Sequence, residues 1–124
     1  MNDPDLSHAT ITIDMKKYRI RIFKTTLHLL GDPSYIQLLV NPTDGFVAIR
    51  SVERSLSKDQ THKVSKKMMD SDNSIEIYSR LFITKLLDVA GNIDTGSLYQ
   101  MNRKVVPSEN LAIFSLKTMT KKAP

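Results

Sequence analysis

The sequence predicts a mainly β protein of the α+β class with two short helices, built as two similar halves that share one core. Three observations predict this fold class. Isoleucine alternates with polar residues in three short runs, which is the period-two pattern of half-buried strands. Two leucine-rich segments with helical spacing each end at a glycine. The order strand, strand, helix, strand, strand can be read twice along the chain, which is typical of an internal duplication.

The first half is predicted to contain four strands and one helix. Alternation in residues 9–14 predicts the first strand, and the second strand, residues 19–23, places its isoleucines on one side and its arginines on the other. Residues 24–30 fit two turns of helix, and Gly31 follows as a stop signal. Residues 35–50 predict a hairpin, because Asn, Pro, Asp and Gly separate two apolar runs and suit a tight reversal.

The second half is predicted to follow a polar, serine-rich linker at residues 51–59. Residues 61–68 are predicted as a strand, although three lysines and few β-branched residues oppose it. The alternation returns in residues 74–78, and Ser79 then stands where the N-cap of a second helix is expected. This helix has an apolar face and is predicted to end at Gly91.

A last hairpin is predicted from residues 97–106 and 110–118, across a Pro-Ser-Glu reversal. The two halves then span residues 9–54 and 60–119. A chain of 124 residues buries roughly two-thirds of its unfolded surface, which is too little for two separate cores. We therefore expect residues 1–124 to form a single domain, in which the two units interlock as a pseudo-twofold barrel.

The composition excludes several classes of site. Cysteine is absent, so the chain has no disulfide, no thiolate metal site and no cysteine nucleophile. His8, His28 and His62 are far apart in the sequence, and the glycine patterns of phosphate-binding loops are missing. We therefore expect a protein that is not an enzyme and that uses no cofactor and no metal.

The location expected from the sequence is the cytoplasm. Residues 1–9 lack both the basic part and the apolar part of a secretion signal. Apolar runs stay well short of the roughly 18 residues that a membrane span needs, so we expect no membrane partner. The absence of cysteine also suits a reducing compartment.

Positive charge is concentrated in the first half of the chain. The net charge of +5 favours an acidic partner, and residues 16–24 carry five cations and no acidic residue. Each cation can neutralise a phosphate, and arginine can also read guanine in the major groove of duplex DNA. The alternative is an exposed sheet face that charge keeps soluble and protects from edge pairing. We call this set the basic stripe: Lys16, Lys17, Arg19, Arg21 and Lys24.

A family resemblance rests on the first half. Residues 19–22, Arg-Ile-Arg-Ile, match the G-R-[VI]-x-[IL]-P strand of AbrB-type transition-state regulators and MazE antitoxins, and the Leu-Gly pair at 30–31 matches their "L-G". The hairpin at 35–50 also fits, and the tandem arrangement resembles MraZ. Tyr18 replaces the family's Gly, and Phe23 replaces its Pro. The resemblance implies a swapped-hairpin barrel in which basic residues at the first hairpin contact DNA.

The function expected from these observations is a small DNA-binding transcriptional regulator that contacts the duplex through the basic stripe. The alternative is a non-catalytic protein-interaction module, such as an adaptor or an antitoxin-like partner, whose basic stripe binds an acidic protein surface. The DNA hypothesis requires that Arg19 and Arg21 share one face and are not paired with carboxylates.

A homodimer is also expected from the second predicted helix. Its apolar residues cover a wider arc than one small sheet needs, and leftover apolar surface drives association. The residues concerned are Phe82, Ile83, Leu86 and Leu87.

Overall fold

The structure, a computed structural model, describes residues 10–53, 61–70, 74–91, 93–106 and 110–121. Strands predominate in these ranges, so the predicted mainly β class is confirmed. The strands are β1 Thr10–Asp14, β2 Arg19–Phe23, β3 Tyr35–Asn41, β4 Phe46–Val52, β5 Thr61–Lys63, β6 Ser74–Tyr78, β7 Leu98–Val106, β8 Leu111–Ser115 and β9 Thr120–Lys121. The helices are α1 Lys24–Leu29, α2 Lys66–Asp70 and α3 Arg80–Ala90, with a short 3-10 helix at Leu116–Thr118.

The strands form two antiparallel sheets that are joined by β7. Sheet 1 has the order β7-β1-β2-β6, and sheet 2 has the order β5-β3-β4-β8. Residues 98–102 of β7 pair with β1, whereas residues 103–106 pair with β8. The long strand β7 therefore belongs to both sheets, and the short strand β9 pairs with it at Tyr99 and Gln100.

Each sheet combines strands from both halves of the chain. In sheet 1 the β1–β2 hairpin lies between β6 and β7, and in sheet 2 the β3–β4 hairpin lies between β5 and β8. The two halves differ in their strand pairing, because β1 and β2 form a hairpin while β5 and β6 lie in different sheets. Most of the predicted linker at 51–59 and the predicted reversal at 107–109 lie outside the described residues.

The isoleucines that alternate in the sequence form the core of sheet 1. In β2 the buried positions alternate with partly exposed ones along the whole strand, as the period-two pattern predicts. Burying each large aliphatic side chain contributes about 1.5–3 kcal/mol, so these strands supply much of the stabilisation. The buried residues of sheet 1 include Ile11, Ile13, Ile20, Ile22, Ile75 and Ile77, and those of sheet 2 include Ile36, Val47, Ile49, Ala112 and Phe114.

Both predicted helices are present. Helix α1 is followed by Gly31, which has a positive φ of 85°, as its predicted role as a stop signal requires. Helix α3 begins after Ser79, whose hydroxyl oxygen accepts a hydrogen bond from the backbone N–H of Phe82 at 3.2 Å. This contact confirms the predicted N-cap. Helix α3 ends at Gly91, which has a φ of 77°.

The apolar face of α3 packs inside the monomer. Phe82, Ile83 and Leu86 are buried in the same core cluster as the strand isoleucines, and Leu87 packs against it. The large apolar residue of α3 that stays exposed is Leu81. Most of the surface that was expected to drive dimerisation is therefore already covered by the chain itself.

Candidate nucleic-acid interface

The outward face of sheet 1 carries two arginines and two acidic residues. Because the isoleucines of β1, β2 and β6 are buried, the alternate positions of these strands face outward. The strand register places Asp14 opposite Arg19 and places Glu76 opposite Arg21. The two arginines of the basic stripe therefore lie on one face, together with these two carboxylates.

Both arginines are paired. Arg19 Nη2 lies 3.2 Å from Asp14 Oδ2, and Arg19 Nη1 lies 3.6 Å from Glu76 Oε2. Arg21 Nη2 lies 3.0 Å from Glu76 Oε1. Burial lowers the pKa of Arg19, but a hydrogen bond with Tyr78 and the negative charges of Glu76 and Asp14 outweigh this effect, so the pKa lies above its ordinary value.

These ion pairs bear on the predicted role of the two arginines. The charges of these four groups sum to zero, so the two arginines together with their carboxylate partners present no net positive charge to a phosphate backbone. Arg19 and Arg21 meet the first requirement of the DNA hypothesis, a shared face, but not the second, freedom from carboxylate partners. The ion pairs connect β1, β2 and β6, and the assignment of Arg19 and Arg21 as DNA contacts stays a prediction.

The other members of the basic stripe lie at the two ends of β2. Lys16 and Lys17 are exposed in the turn between β1 and β2, and this turn is held by the hydrogen bond from the Lys17 backbone N–H to Asp14 Oδ1 at 3.2 Å. Lys24 begins α1 at the opposite end of the strand. Seven extended residues span roughly 23 Å, so the stripe does not form a single patch.

The β1–β2 turn contacts the start of α3. The carbonyl of Tyr18 accepts a hydrogen bond from the Ser79 backbone N–H at 2.9 Å. The guanidinium of Arg80 lies over the ring of Tyr18, with 4.8 Å between the Arg80 Cζ and the ring centroid. We call the three cations that this contact brings to one end of sheet 1 the turn cluster: Lys16, Lys17 and Arg80.

The turn cluster carries uncompensated positive charge. Within the described part of the chain, none of its three side chains forms an ion pair with a carboxylate. The first turn of α3 has no acidic residue, and the N-terminal end of a helix adds a partial positive charge of its own. Two apolar side chains next to the cluster remain exposed, Tyr78 at 62% and Leu81 at 45%.

Sequence reasoning placed Lys16 and Lys17 in the interface but missed Arg80, Asp14 and Glu76. Asp14 has a local signal, because it stands across a short turn from Arg19. Glu76 occupies the position in the second predicted unit that Arg21 occupies in the first, and the pairing of β2 with β6 places the two residues opposite each other. Arg80 has no local signal, because its position beside the turn depends on the pairing of β2 with β6.

Other kinds of site find little support among the described residues. Within those ranges no group of three or more His, Asp or Glu side chains is placed to hold a metal ion. The longest described helix, α3, has 11 residues, and no described helix is long and apolar enough to cross a membrane. Comparison of the chain with protein-family models, with curated proteins and with solved structures gave no match.

Proposed function

We propose that the protein is a small, non-catalytic DNA-binding regulator that contacts duplex DNA through the turn cluster rather than through the arginines of β2. One observation carries the proposal: Lys16, Lys17 and Arg80 come from two separate segments, converge at one end of sheet 1 and have no carboxylate partner among the described residues. Each such cation can displace a counterion from a phosphate, which is the main source of affinity in nonspecific DNA binding.

The geometry of the cluster favours a duplex as the ligand. A tight turn between two strands can approach a phosphate backbone, and a two-stranded ribbon fits the major groove. The contact with the Tyr18 ring limits the freedom of Arg80, so less side-chain entropy is lost when it binds. Arg19 and Arg21 then act as positioning residues, because their ion pairs fix the hairpin that carries the two lysines.

Two backbone angles support the resemblance to AbrB-type and MraZ proteins. Tyr18 stands where that family has glycine, and its φ of 53° lies in the left-handed region that favours glycine. Gly31, in the matching Leu-Gly pair, has a φ of 85°. The interleaving of the two halves in both sheets is also what an interlocked, swapped-hairpin pair of units would require, and that arrangement is part of the proposal.

A protein-interaction module remains the second candidate, and the exposed side chains of Tyr78 and Leu81 favour it. Aromatic and apolar groups beside cations are typical of surfaces that bind an acidic protein. The two candidates differ in their response to salt, since DNA binding weakens in proportion to the number of phosphates contacted.

The experiment is a fluorescence anisotropy titration of a labelled, mixed-sequence duplex at several salt concentrations. Lys16→Ala with Lys17→Ala should weaken binding at low salt, because two phosphate contacts are lost. The slope of log K against log salt should become shallower by about 1.8 for two such contacts.

The matched control is Lys63→Ala with Lys117→Ala, which removes the same charge from exposed positions on β5 and on the 3-10 helix. We expect this control to retain the wild-type slope. Equal losses of DNA affinity in the two double variants would show that binding depends on the net charge of the protein and not on the turn cluster. Wild-type binding by the Lys16, Lys17 variant, or no DNA binding by the wild type, would reject the turn cluster as a DNA interface.

A further inference from the structure

One edge of β6 has no strand partner in the part of the chain that the structure describes. β6 is the last strand in the order of sheet 1, with β2 on one side, and none of the described residues pairs with its other side. It has five residues, whereas β5, at the far end of the strand order, has three. An unpaired strand edge is a ready template for another strand.

The backbone groups on this edge can be identified from the register. The Ser79 N–H bonds the carbonyl of Tyr18, so these two residues form a hydrogen-bonded pair that continues the β2–β6 ladder. Hydrogen-bonded and non-hydrogen-bonded pairs alternate along antiparallel strands. Ile75 and Ile77 are therefore the residues of β6 whose backbone groups form hydrogen bonds with β2. The backbone N–H and C=O groups of the other three residues therefore point away from β2, toward the unpaired edge. These residues are Ser74, Glu76 and Tyr78.

We propose that this edge pairs with the same edge of a second copy, in antiparallel register centred on Glu76, to form a homodimer. In this register Glu76 faces the second copy's Glu76, and Ser74 faces the second copy's Tyr78. All three outward-pointing residues then find hydrogen-bonding partners on both chains. A single five-residue strand is thus complementary to itself.

The two faces of the joined strands are also compatible. On the core side Ile75 and Ile77 are already buried within each monomer, so pairing of the two edges leaves no apolar side chain of β6 exposed on that side. On the outward side each Glu76 keeps its own cations, since Arg21 lies at 3.0 Å and Arg19 at 3.6 Å. The two carboxylates that approach at the twofold axis are therefore already neutralised within their own chains.

The exposed apolar residues point to the same edge. Three large apolar side chains are exposed in the described part of the chain, and two of them, Tyr78 and Leu81, lie at the end of β6 and the start of α3. In the proposed register the ring of Tyr78 lies beside the small side chain of Ser74 from the second copy, which leaves room for it. This interface replaces the face of α3 as the expected dimer contact.

The dimer has a consequence for DNA binding, and this consequence alone rests on the proposed function. Arg80 lies four residues beyond the axis at Glu76, so the two β6–α3 junctions of a dimer would be roughly 27 Å apart along the strands. The lysines of the β1–β2 turns lie one strand farther out on each side. With extended side chains the two turn clusters approach the roughly 34 Å that separates half-sites one turn apart on DNA. A site with twofold symmetry is the expected target.

Sedimentation velocity on the full chain tests the interface without DNA. We expect the wild type to sediment as a dimer. Ser74→Pro removes an N–H from the open edge without removing a bond to β2, and Tyr78→Lys places a charge on the edge at a side chain that is already exposed. Both variants should be monomeric, while their matched controls, Ser74→Ala and Tyr78→Phe, should remain dimers.

Circular dichroism on the same samples shows whether each variant is folded, and Tyr78→Lys keeps the test decisive if Ser74→Pro unfolds. A wild type that stays monomeric at its highest soluble concentration overturns the inference. A dimer that persists in folded Tyr78→Lys also overturns it.

Disulfide trapping tests the register. The chain has no cysteine, so introduced cysteines are unique. Facing residues of a hydrogen-bonded pair have Cα atoms about 5.5 Å apart, which a disulfide can span. A mixture of Ser74→Cys and Tyr78→Cys chains should cross-link on oxidation. Either variant alone should not, because its two cysteines would lie four residues apart along the paired strands. Equal cross-linking by one variant alone would overturn the register.

The outcomes separate the two proposals. One outcome is a dimer that the edge variants disrupt and that forms the predicted cross-link, combined with DNA binding that is unchanged by Lys16→Ala and Lys17→Ala. This outcome rejects the proposed function and supports the interface. A monomer whose DNA binding depends on the turn cluster rejects the interface and leaves the proposed function standing.

Discussion

Arg19 and Arg21 have the same charge and lie on the same face of β2, but their surroundings differ. Arg19 bridges two carboxylates, and its side chain is 22% exposed beside an Asp14 side chain that is 12% exposed. Arg21 has one carboxylate partner, Glu76, and its side chain is 39% exposed. The free energy of an ion pair depends on how far its groups are removed from water.

Arg19→Ala should therefore lower the free energy of unfolding by about 1–3 kcal/mol, because Asp14 stays largely buried and loses its cationic partner. Arg21→Ala should cost less than about 1 kcal/mol, as exposed pairs do. Urea unfolding followed by circular dichroism measures both, and Lys16→Ala, at an exposed position, serves as the control. Equal losses for the two arginines would contradict this difference.

At the scale of single residues the sequence predicts which face of a strand a side chain lies on, but not which residues of other strands it contacts. The period-two pattern was enough to place Arg19 and Arg21 on one face of β2 and to bury Ile20 and Ile22 on the other. The partner Glu76 is 55 residues away from Arg21 in the chain and arrives only because β6 pairs with β2. A long-range pairing of this kind leaves no local signal, so the sequence could not show that a carboxylate pairs with Arg21.

Among the elements, β5 departs most from its prediction. Residues 61–68 were expected as one strand, whereas the strand covers only Thr61–Lys63 and a helical turn follows at Lys66–Asp70. Lysine and methionine favour helix over strand, so local propensity prevails once pairing with β3 has ended. The elements with clear periodicity, β1, β2, β6 and α3, agree with their predicted bounds within a residue.

The short strand β5 contains a titratable residue, His62, whose side chain is partly buried. His62 lies in a small hollow between β3 and α3, where Leu38, Phe82 and Lys85 are among its neighbours. Burial lowers the pKa of His62 below its ordinary value of 6.5, since the charged form is poorly solvated there. The folded protein therefore holds this imidazole neutral at pH values where the unfolded chain is partly protonated.

Stability should rise with pH through this window. Below pH 6.5 the unfolded state binds more protons at His62 than the folded state does, so the free energy of unfolding falls as the pH falls toward the folded pKa. Thermal unfolding between about pH 8 and about pH 5 measures this dependence. His62→Gln should make the curve flatter in that range. A curve that is unchanged in the variant would show that other groups cause the slope.

The arrangement of the two halves is a property of the whole molecule. Residues 1–54 contain both central hairpins, β1–β2 and β3–β4, but every strand that flanks these hairpins comes from the second half. The duplication read from the sequence predicted that the halves share a core. It could not show that β5 and β6 separate into different sheets, because both pair with strands of the first half rather than with each other.

A fragment of residues 1–54 should therefore fail to form a stable folded monomer, since its hairpins have no flanking strands and expose their buried isoleucines. Circular dichroism and sedimentation velocity should show an unfolded or self-associated fragment. Adding a fragment of residues 55–124 should restore β structure in a one-to-one complex. A folded, monomeric 1–54 fragment would contradict the shared core.

The position of β7 in both sheets also governs when the protein can fold in the cell. The two hairpins of the first half leave the ribosome well before β7, yet β1 and β8 each need this strand as a neighbour. Contacts between such distant segments form slowly, because much chain must be ordered before they are made. Nascent chains thus expose aliphatic surface to water until β7 has left the ribosome, and chaperones that shield such surface would bind them during this interval.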